Sequence, residues 1–327
     1  MNRLRRALRW LWAALLSATG ARWSAKRRLR KQRAIIVLAF HRVLDDTDFR
    51  RTHSLTGMLV RRRTFEELVS YVARRFEVVD LSRIKPGQES DRLRVAFTFD
   101  DGWLDNHTAA FPILRAFGIP MTIFVCPGLL GQGMPFWPER VAASFRAARP
   151  AAREEEIEAV INGLKPHTAA EREEMMASLP ARGQSMADEP DKTVSWAQIA
   201  EMNRAGVTFG SHTQTHQVLT AVSETAAREE IRESKVAIEC ALNKRCDLFA
   251  YPNGDHSCET RRLLAEAGFA LAFTTERGAW TTACDPLAIP RPNISDDDVV
   301  GPLGRFSPAM FEYTVFWKAV RAAHGER

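Results

Sequence analysis

Strand and helix alternate about seven times along this 327-residue chain, which predicts a parallel α/β fold, either a barrel or a doubly wound sheet. Two further observations point the same way. Apolar runs such as Ala34-Ile35-Ile36-Val37-Leu38-Ala39-Phe40 are continuous rather than alternating, as in strands buried on both faces. His41, the Asp100–Asp101 pair, the His212–His216 segment, Tyr251–Gly254 and Arg291 each come directly after a strand. In a parallel barrel such groups meet at the C-terminal rim, where active sites lie.

The length suits one large α/β domain with insertions or two small ones, and a hydrophobic fraction of 45% with 26% charged residues is ordinary for a globular protein. The net charge of +6 is an average of two unlike parts. Residues 1–33 carry 11 of the 46 Lys and Arg and no Asp or Glu, which leaves 35 basic against 40 acidic residues elsewhere. The body is therefore mildly acidic, and a nucleic-acid partner is not expected. Five cysteines without a CxxC argue against a disulfide framework and fit a reducing compartment. A single Cys240–Cys246 bridge stays open. No GxGxxG or P-loop fingerprint occurs.

In chain order, residues 1–33 run basic, apolar, basic. Leu4, Leu8, Leu11 (or Trp12) and Leu15 share a helical face with arginines elsewhere, which predicts an amphipathic helix on an anionic lipid surface. A secretory signal peptide and a basic helix packed on the body are the rivals, and the basic residues after the apolar stretch argue against export. The apolar stretch is shorter than the roughly 20 residues that span a bilayer. Strands are expected at 34–40, 77–81, 94–99, 121–125, 207–210, 247–251, 269–273 and 287–289. A capping box at Thr64–Glu67 opens a helix to about Arg75, and another helix runs from Asp105 to Phe117. Residues 131–194 turn to Ala, Arg and Glu and show no strand signal. They read as a helical insertion, a lid or outer subdomain, with helices near 138–148, 151–163 and 169–179 and charge runs forming solvated faces. Ser195 caps a helix ending before Gly206, Ser223 opens one with Ile231, Ser234, Ile238 and Leu242 on one face, Ser257 to Ala267 is helical, and a last helix covers about 308–323. The domain plan is 1–33, 34–306 with the insertion at 131–194, and 307–327.

Thr98-Phe99-Asp100-Asp101-Gly102 places two carboxylates and a turn-permitting glycine at a strand end. Adjacent anions repel and are costly to hold together without a cation. A division of labour resolves this: one Asp binds a metal and the other stays free for proton transfer. A solvated Asp-Asp-Gly turn is the plain alternative. His212 and His216 also follow a strand, and a helical turn would put both imidazoles on one side. With Asp101 they make a His₂-carboxylate set that leaves positions open for water and substrate.

These segments resemble the first two motifs of the polysaccharide deacetylase family, the NodB-homology or carbohydrate esterase 4 domain. Phe249-Ala250-Tyr251-Pro252-Asn253-Gly254 is similar to its third. The likeness covers roughly residues 34–295 apart from the insertion. It implies a distorted (β/α) barrel and a divalent metal, usually zinc. It also implies hydrolysis of an N-acyl group, typically acetyl, from an amino sugar. By position, Asp101, His212 and His216 would bind the metal and Asp100 would be the base, with a backbone N–H near Tyr251 or Asn253 at the oxyanion. Two departures stand out. The third motif often begins with an Arg that orients the base, and here that position is Ala250, so Arg291 is expected to supply the guanidinium. The C-terminal Leu-x-His of the acid is not visible, and His324 in the last helix is a poor candidate. His41, in Phe40-His41-Arg42-Val43, resembles a Tyr-His-x-Val element of a family subset and is the expected acid, a structural histidine being the alternative. Tyr251, Asn253 and Trp103 are expected to line the sugar site, with core packing as the other reading of Trp103.

The expectation is thus a metal-dependent N-deacetylase acting on a bacterial polysaccharide or lipid-linked glycan, cytoplasmic or peripheral on the inner face of the membrane. A catalytically silent glycan-binding or membrane-docked assembly protein, and an iron oxygenase with the same facial triad, are the competing classes.

Overall fold

The computed structural model describes residues 3–131, 133, 135–178 and 189–322. Six strands follow one another edge to edge: β1 (Ile35–Phe40), β5 (Arg94–Phe99), β6 (Met121–Val125), β7 (Thr208–Ser211), β8 (Leu248–Ala250) and β9 (Leu271–Phe273). The short β4 (Glu77–Val78) pairs with β5, and β2 (Arg42–Leu44) and β3 (Leu59–Arg61) form a separate parallel pair. Every pairing is parallel, with β1 against β5 in register from Ile35↔Arg94 to Phe40↔Phe99. The seam between β9 and β1 is filled by the segment 289–293, which bridges Phe273 through Ile289 and Ala39 through Asn293. The sheet therefore curls round as a distorted (β/α) barrel rather than lying open as a doubly wound sheet.

Burial explains the continuous apolar runs: all six residues of β1 and of β5 are buried. Phe40, Phe65, Phe97 and Phe99 interlock with ring centroids 5.3–6.2 Å apart, fastening the Arg62–Arg75 helix to these two strands. That helix starts two residues before the expected capping box and has no side-chain cap. Capping boxes are present at Thr168, Ser195 and Ser257, and Ser223 caps the Glu224–Leu242 helix. The helix expected over 105–117 opens as a π-turn (Asn106–Ala110) before Phe111–Ala116, and the strand expected at 287–289 contributes a single bridge at Ile289.

Among its described residues the insertion forms three α-helices, Trp137–Ala148, Glu154–Leu164 and Ala169–Ala177, round a small core of Trp137, Val141, Ile157, Ile161, Leu164 and Met176. Its charges are not all solvated: Glu139 and Arg172 are each 2% exposed. The expectation of purely solvent-facing charge runs is corrected here, because these two side chains point into the seam between insertion and barrel.

The N-terminal segment is a hairpin of α1 (Arg3–Ala18) and α2 (Ala21–Lys31), turned at Gly20 with φ +74°. Ala13, Leu16, Ala25 and Leu29 face the body. Arg9 reaches Asp298 at 3.4 Å, and Arg22 and Lys26 converge on Glu312 at 3.1 and 2.6 Å. Leu8, Leu11, Trp12, Leu15 and Trp23 lie on the outside, 48–65% exposed. The hairpin thus packs on the body and still presents an outward apolar stripe. Among the described residues no helix is long and apolar enough to cross a membrane. The last described helical stretch is Lys318–Ala322, and His324 lies outside the described residues. All five cysteines are free, so the Cys240–Cys246 bridge does not form.

Candidate active site

The ends of β1, β5, β7 and β8 and the seam segment bring His41, Asp100, Asp101, His212, Asn253 and Asn293 to one cleft of about 660 Å³. The far wall is the insertion, through Glu139, Glu154, Glu155, Glu158, Ile161 and Lys165.

Asp100 is 1% exposed and takes both terminal nitrogens of Arg291, Nη1 to Oδ1 at 2.6 Å and Nη2 to Oδ2 at 2.7 Å. Arg291 is itself fully buried, and its Nη1 also donates to Thr98 Oγ1 at 3.0 Å. Two parallel charge-assisted bonds fix the carboxylate plane as well as its charge. Burial pushes the Asp100 carboxyl up, but Arg291, with His212 and His41 behind it, outweighs burial and brings it down to about 2. The guanidinium expected from Arg291 in place of Ala250 therefore lies on Asp100. Ala250 contributes its carbonyl instead, which accepts from His212 Nδ1 at 2.7 Å.

That bond sets the His212 tautomer. With Nδ1 carrying the proton, Nε2 keeps a lone pair, and it lies 3.5 Å from Asp101 Oδ1. His216 Nε2 lies 3.4 Å from the same oxygen. Donor atoms of Asp101, His212 and His216 all fall within 4.8 Å of one another. Asp101 Oδ1 is buried without a hydrogen-bond partner, an expensive state for a carboxylate oxygen unless a cation completes it. Burial holds both imidazoles neutral, His212 at about 4 and His216 at about 3, the latter with help from Arg172 and His41. Two neutral imidazoles and one orphaned carboxylate oxygen converging on a point fit a divalent metal.

The backbone reaches this arrangement differently from the helical turn expected at 212–216. The segment is irregular, with Thr213 at φ +66° and His216 at φ +58°. Thr213 Oγ1 accepts from Gln217 N, and Glu230 accepts from Thr215 N and Oγ1. Side-chain bonds, not a helical repeat, bring the two rings together with centroids 4.9 Å apart.

His41 sits at the end of β1 with Nε2 3.9 Å from Asp100 Oδ2, and its Nδ1 is buried without a partner. Asn253 lines the cleft, and its Oδ1 accepts from Lys165 Nζ of the insertion at 2.7 Å. Two expected sugar contacts are placed otherwise. Tyr251 is fully buried in the barrel wall, its hydroxyl donating to Leu287 O at 2.9 Å and its amide to Phe273 O, so neither group faces the cleft. Trp103 borders the cleft but has no exposed surface, and its Nε1 donates to Asp101 Oδ2 at 2.9 Å. Core packing plus a bond to the carboxylate describes it better than a sugar platform. Lys165, Glu139 and the fully buried Arg42 escaped the sequence reading. The first two lie in a stretch that looks like a solvated surface, and the third is a lone Arg beside a more conspicuous histidine.

The sequence matches the Polysaccharide deacetylase family model over residues 87–272, more than half of the chain. It is 23% identical over 201 residues to the Bacillus subtilis (strain 168) protein named "Putative polysaccharide deacetylase YxkH", covering 62% of this chain and 51% of that one. The chain thus spans about half the length of that curated relative. Among solved structures, the Streptococcus pyogenes deacetylase PplD in complex with acetate superposes with a TM-score of 0.56 at 20% identity over 84% of this chain and 99% of that one. IcaB from Ammonifex degensii superposes with a TM-score of 0.54 at 21% identity over 81% and 93% of the two chains. These likenesses concern the fold. With the matched segment holding the Asp pair, both histidines and the third motif, the chain belongs to the polysaccharide deacetylase family.

Proposed function

We propose that this protein is a metal-dependent hydrolase that removes N-acyl groups, acetyl first among them, from an amino sugar of a bacterial polysaccharide or lipid-linked glycan. The observation that carries this reading is the pairing of a guanidinium-clamped, ionised Asp100 with a neighbouring His₂-carboxylate set. Asp101, His212 and His216 would hold the ion, zinc being the choice that suits two imidazoles and a carboxylate. When bound, such an ion supplies Lewis acidity, making water easier to deprotonate and an amide carbonyl more electrophilic.

The chain's own residues do the rest. Asp100, kept anionic and oriented by Arg291, takes a proton from the attacking water as its oxygen bonds to the acyl carbon. The C–N bond then breaks, and the leaving nitrogen needs a proton. His41 would give it, a reading supported by its position at the cleft, 3.9 Å from Asp100 Oδ2. Asn253 and the insertion wall bound the space for the sugar. The competing silent-binder reading is disfavoured by Asp100, since a binding module gains nothing from a buried, doubly bonded carboxylate base. Metal analysis giving zinc and turnover indifferent to oxygen would remove the oxygenase reading.

The outward stripe of Leu8, Leu11, Trp12, Leu15 and Trp23, on a segment without acidic residues, supports peripheral contact with an anionic membrane face. Such docking would suit a lipid-linked substrate on the inner face. Release of acetate from N-acetylglucosamine oligomers by the zinc-loaded protein, lost in Asp100→Asn, tests the proposal. A zinc-loaded protein that cleaves no N-acyl sugar would count decisively against it.

A further inference from the structure

The turn that carries Asp101 is held from outside the barrel. Asp101 has φ +71° and is followed by Gly102 at φ +75°. Left-handed backbone at a non-glycine residue costs on the order of 1 kcal/mol and persists only where its surroundings over-determine it. The exit of the insertion provides those surroundings. Val194 N donates to Gly102 O at 2.9 Å, Leu104 N donates to Lys192 O at 2.9 Å, and Trp103 and Thr193 form an antiparallel bridge between them. Both sides of the turn are thus laced to residues 192–194.

Side chains continue the connection. Trp103 Nε1 engages Asp101 Oδ2, which leaves Oδ1 as the oxygen facing His212 and His216. The indole therefore selects which carboxylate oxygen is offered. Over its ring lies the Arg42 guanidinium, 4.1 Å from the centroid and without solvent exposure. Arg42 is held by Asp105 through Nε at 2.8 Å, by Asp191 through Nη1 at 3.0 Å and by Pro190 O. Asp191 also accepts from Thr52 Oγ1 at 2.6 Å and His53 N at 3.1 Å. Asp191 and Pro190 belong to the insertion, while Arg42 and Asp105 belong to the barrel.

We propose that the insertion's exit segment, residues 189–194, acts through Arg42 and Trp103 as the positioning device for Asp101, so that docking of the insertion and metal affinity are coupled. This rests on the metal site of the proposed function. It makes the insertion part of the metal site's support rather than a detachable lid.

Zinc affinity of the full-length protein, measured by competition with a chromophoric chelator, tests it without recourse to turnover. Trp103→Phe keeps the ring under Arg42 and removes the bond to Asp101, and it should weaken zinc binding roughly 10- to 100-fold, the usual cost of losing an outer partner of a ligand. Asp191→Asn removes the charge opposite Arg42 and should weaken it several-fold, whereas Glu174→Gln on the exposed insertion surface should change nothing. Thermal unfolding is followed alongside. Either of the first two variants binding zinc within about twofold of wild type, even with a lowered Tm, would mark a merely structural role and overturn the inference. A wild-type protein that binds no zinc would remove the metal reading and the inference with it.

Discussion

Arg291 grips both carboxylate oxygens of Asp100, at 2.6 and 2.7 Å, across 191 residues of chain. Neither residue is more than 1% exposed, so the pair is an ion pair out of water. Breaking it should be costly. Removing one partner of a buried pair typically costs about 3–5 kcal/mol because the other charge is left uncompensated. Arg291→Ala is therefore expected to lower stability by that order in denaturant unfolding, and to move the acid limb of the activity profile to higher pH. The sign follows from the direction of the Asp100 shift, from its ordinary 3.8 to about 2. A depressed carboxyl contributes stability that is present above the unfolded value and lost as pH falls from 3.8 towards 2. An Arg291→Ala protein with unchanged acid limb and unchanged unfolding midpoint would detach Arg291 from the base.

His41 is the proposed donor of a proton to the leaving nitrogen. His41→Gln should reduce kcat on an N-acetyl sugar roughly 10²- to 10⁴-fold, the usual range for loss of a general acid. Zinc affinity should stay unchanged, since His41 is outside the ligand triad. Full activity in His41→Gln, read by acetate release, would return His41 to a structural role.

Glu139 gives a second pH effect, independent of Asp100 and Arg291. Burial, with Asp191 adding to it, raises its carboxyl from 4.5 to about 8, and its Oε2 has no hydrogen-bond partner. A raised carboxyl holds its proton in the folded state over a range where the unfolded chain has lost it. Stability should then fall as pH rises from about 4.5 to about 8. Glu139→Gln keeps the shape without the titration and should flatten that slope in thermal unfolding. An identical slope in the variant would show that Glu139 is ionised throughout.

The exposed stripe on α1 predicts lipid binding separable from stability. Replacing Leu11 and Trp12 with Ser, both about half exposed, should leave Tm within a degree or two of wild type while weakening sedimentation with anionic phosphatidylglycerol vesicles. Equal sedimentation of the variant and wild type would assign the stripe to another partner.

Much of this architecture was legible in the sequence, because the strands of a barrel buried on both faces announce themselves as unbroken apolar runs. The Asp pair, the two histidines and Arg291 could be placed at one rim by a single inference, that each follows a parallel strand, although the run before Arg291 forms only a bridge at Ile289. Legibility ended where contacts depend on non-local packing. The histidine segment is shaped by left-handed Thr213 and His216 and by Glu230, none of which has a periodic signature. Tyr251 sits in a motif-like segment beside the rim, yet its ring turns into the wall, where its hydroxyl meets Leu287 O from another segment and its ring packs edge-on against the neighbouring Phe249. The insertion's helices were visible from composition and capping, while the burial of Glu139 and Arg172 was not, since a charge run carries no mark of which face will dock.

The central claim is that Asp101, His212 and His216 grip one cation beside a carboxylate base. Diffraction from zinc-soaked crystals recorded at the zinc absorption edge tests it most directly. The account predicts one strong anomalous peak within bonding distance of Asp101 Oδ1, His212 Nε2 and His216 Nε2. A zinc ion lodged elsewhere in the cleft, or no ordered ion between those three atoms, would contradict it.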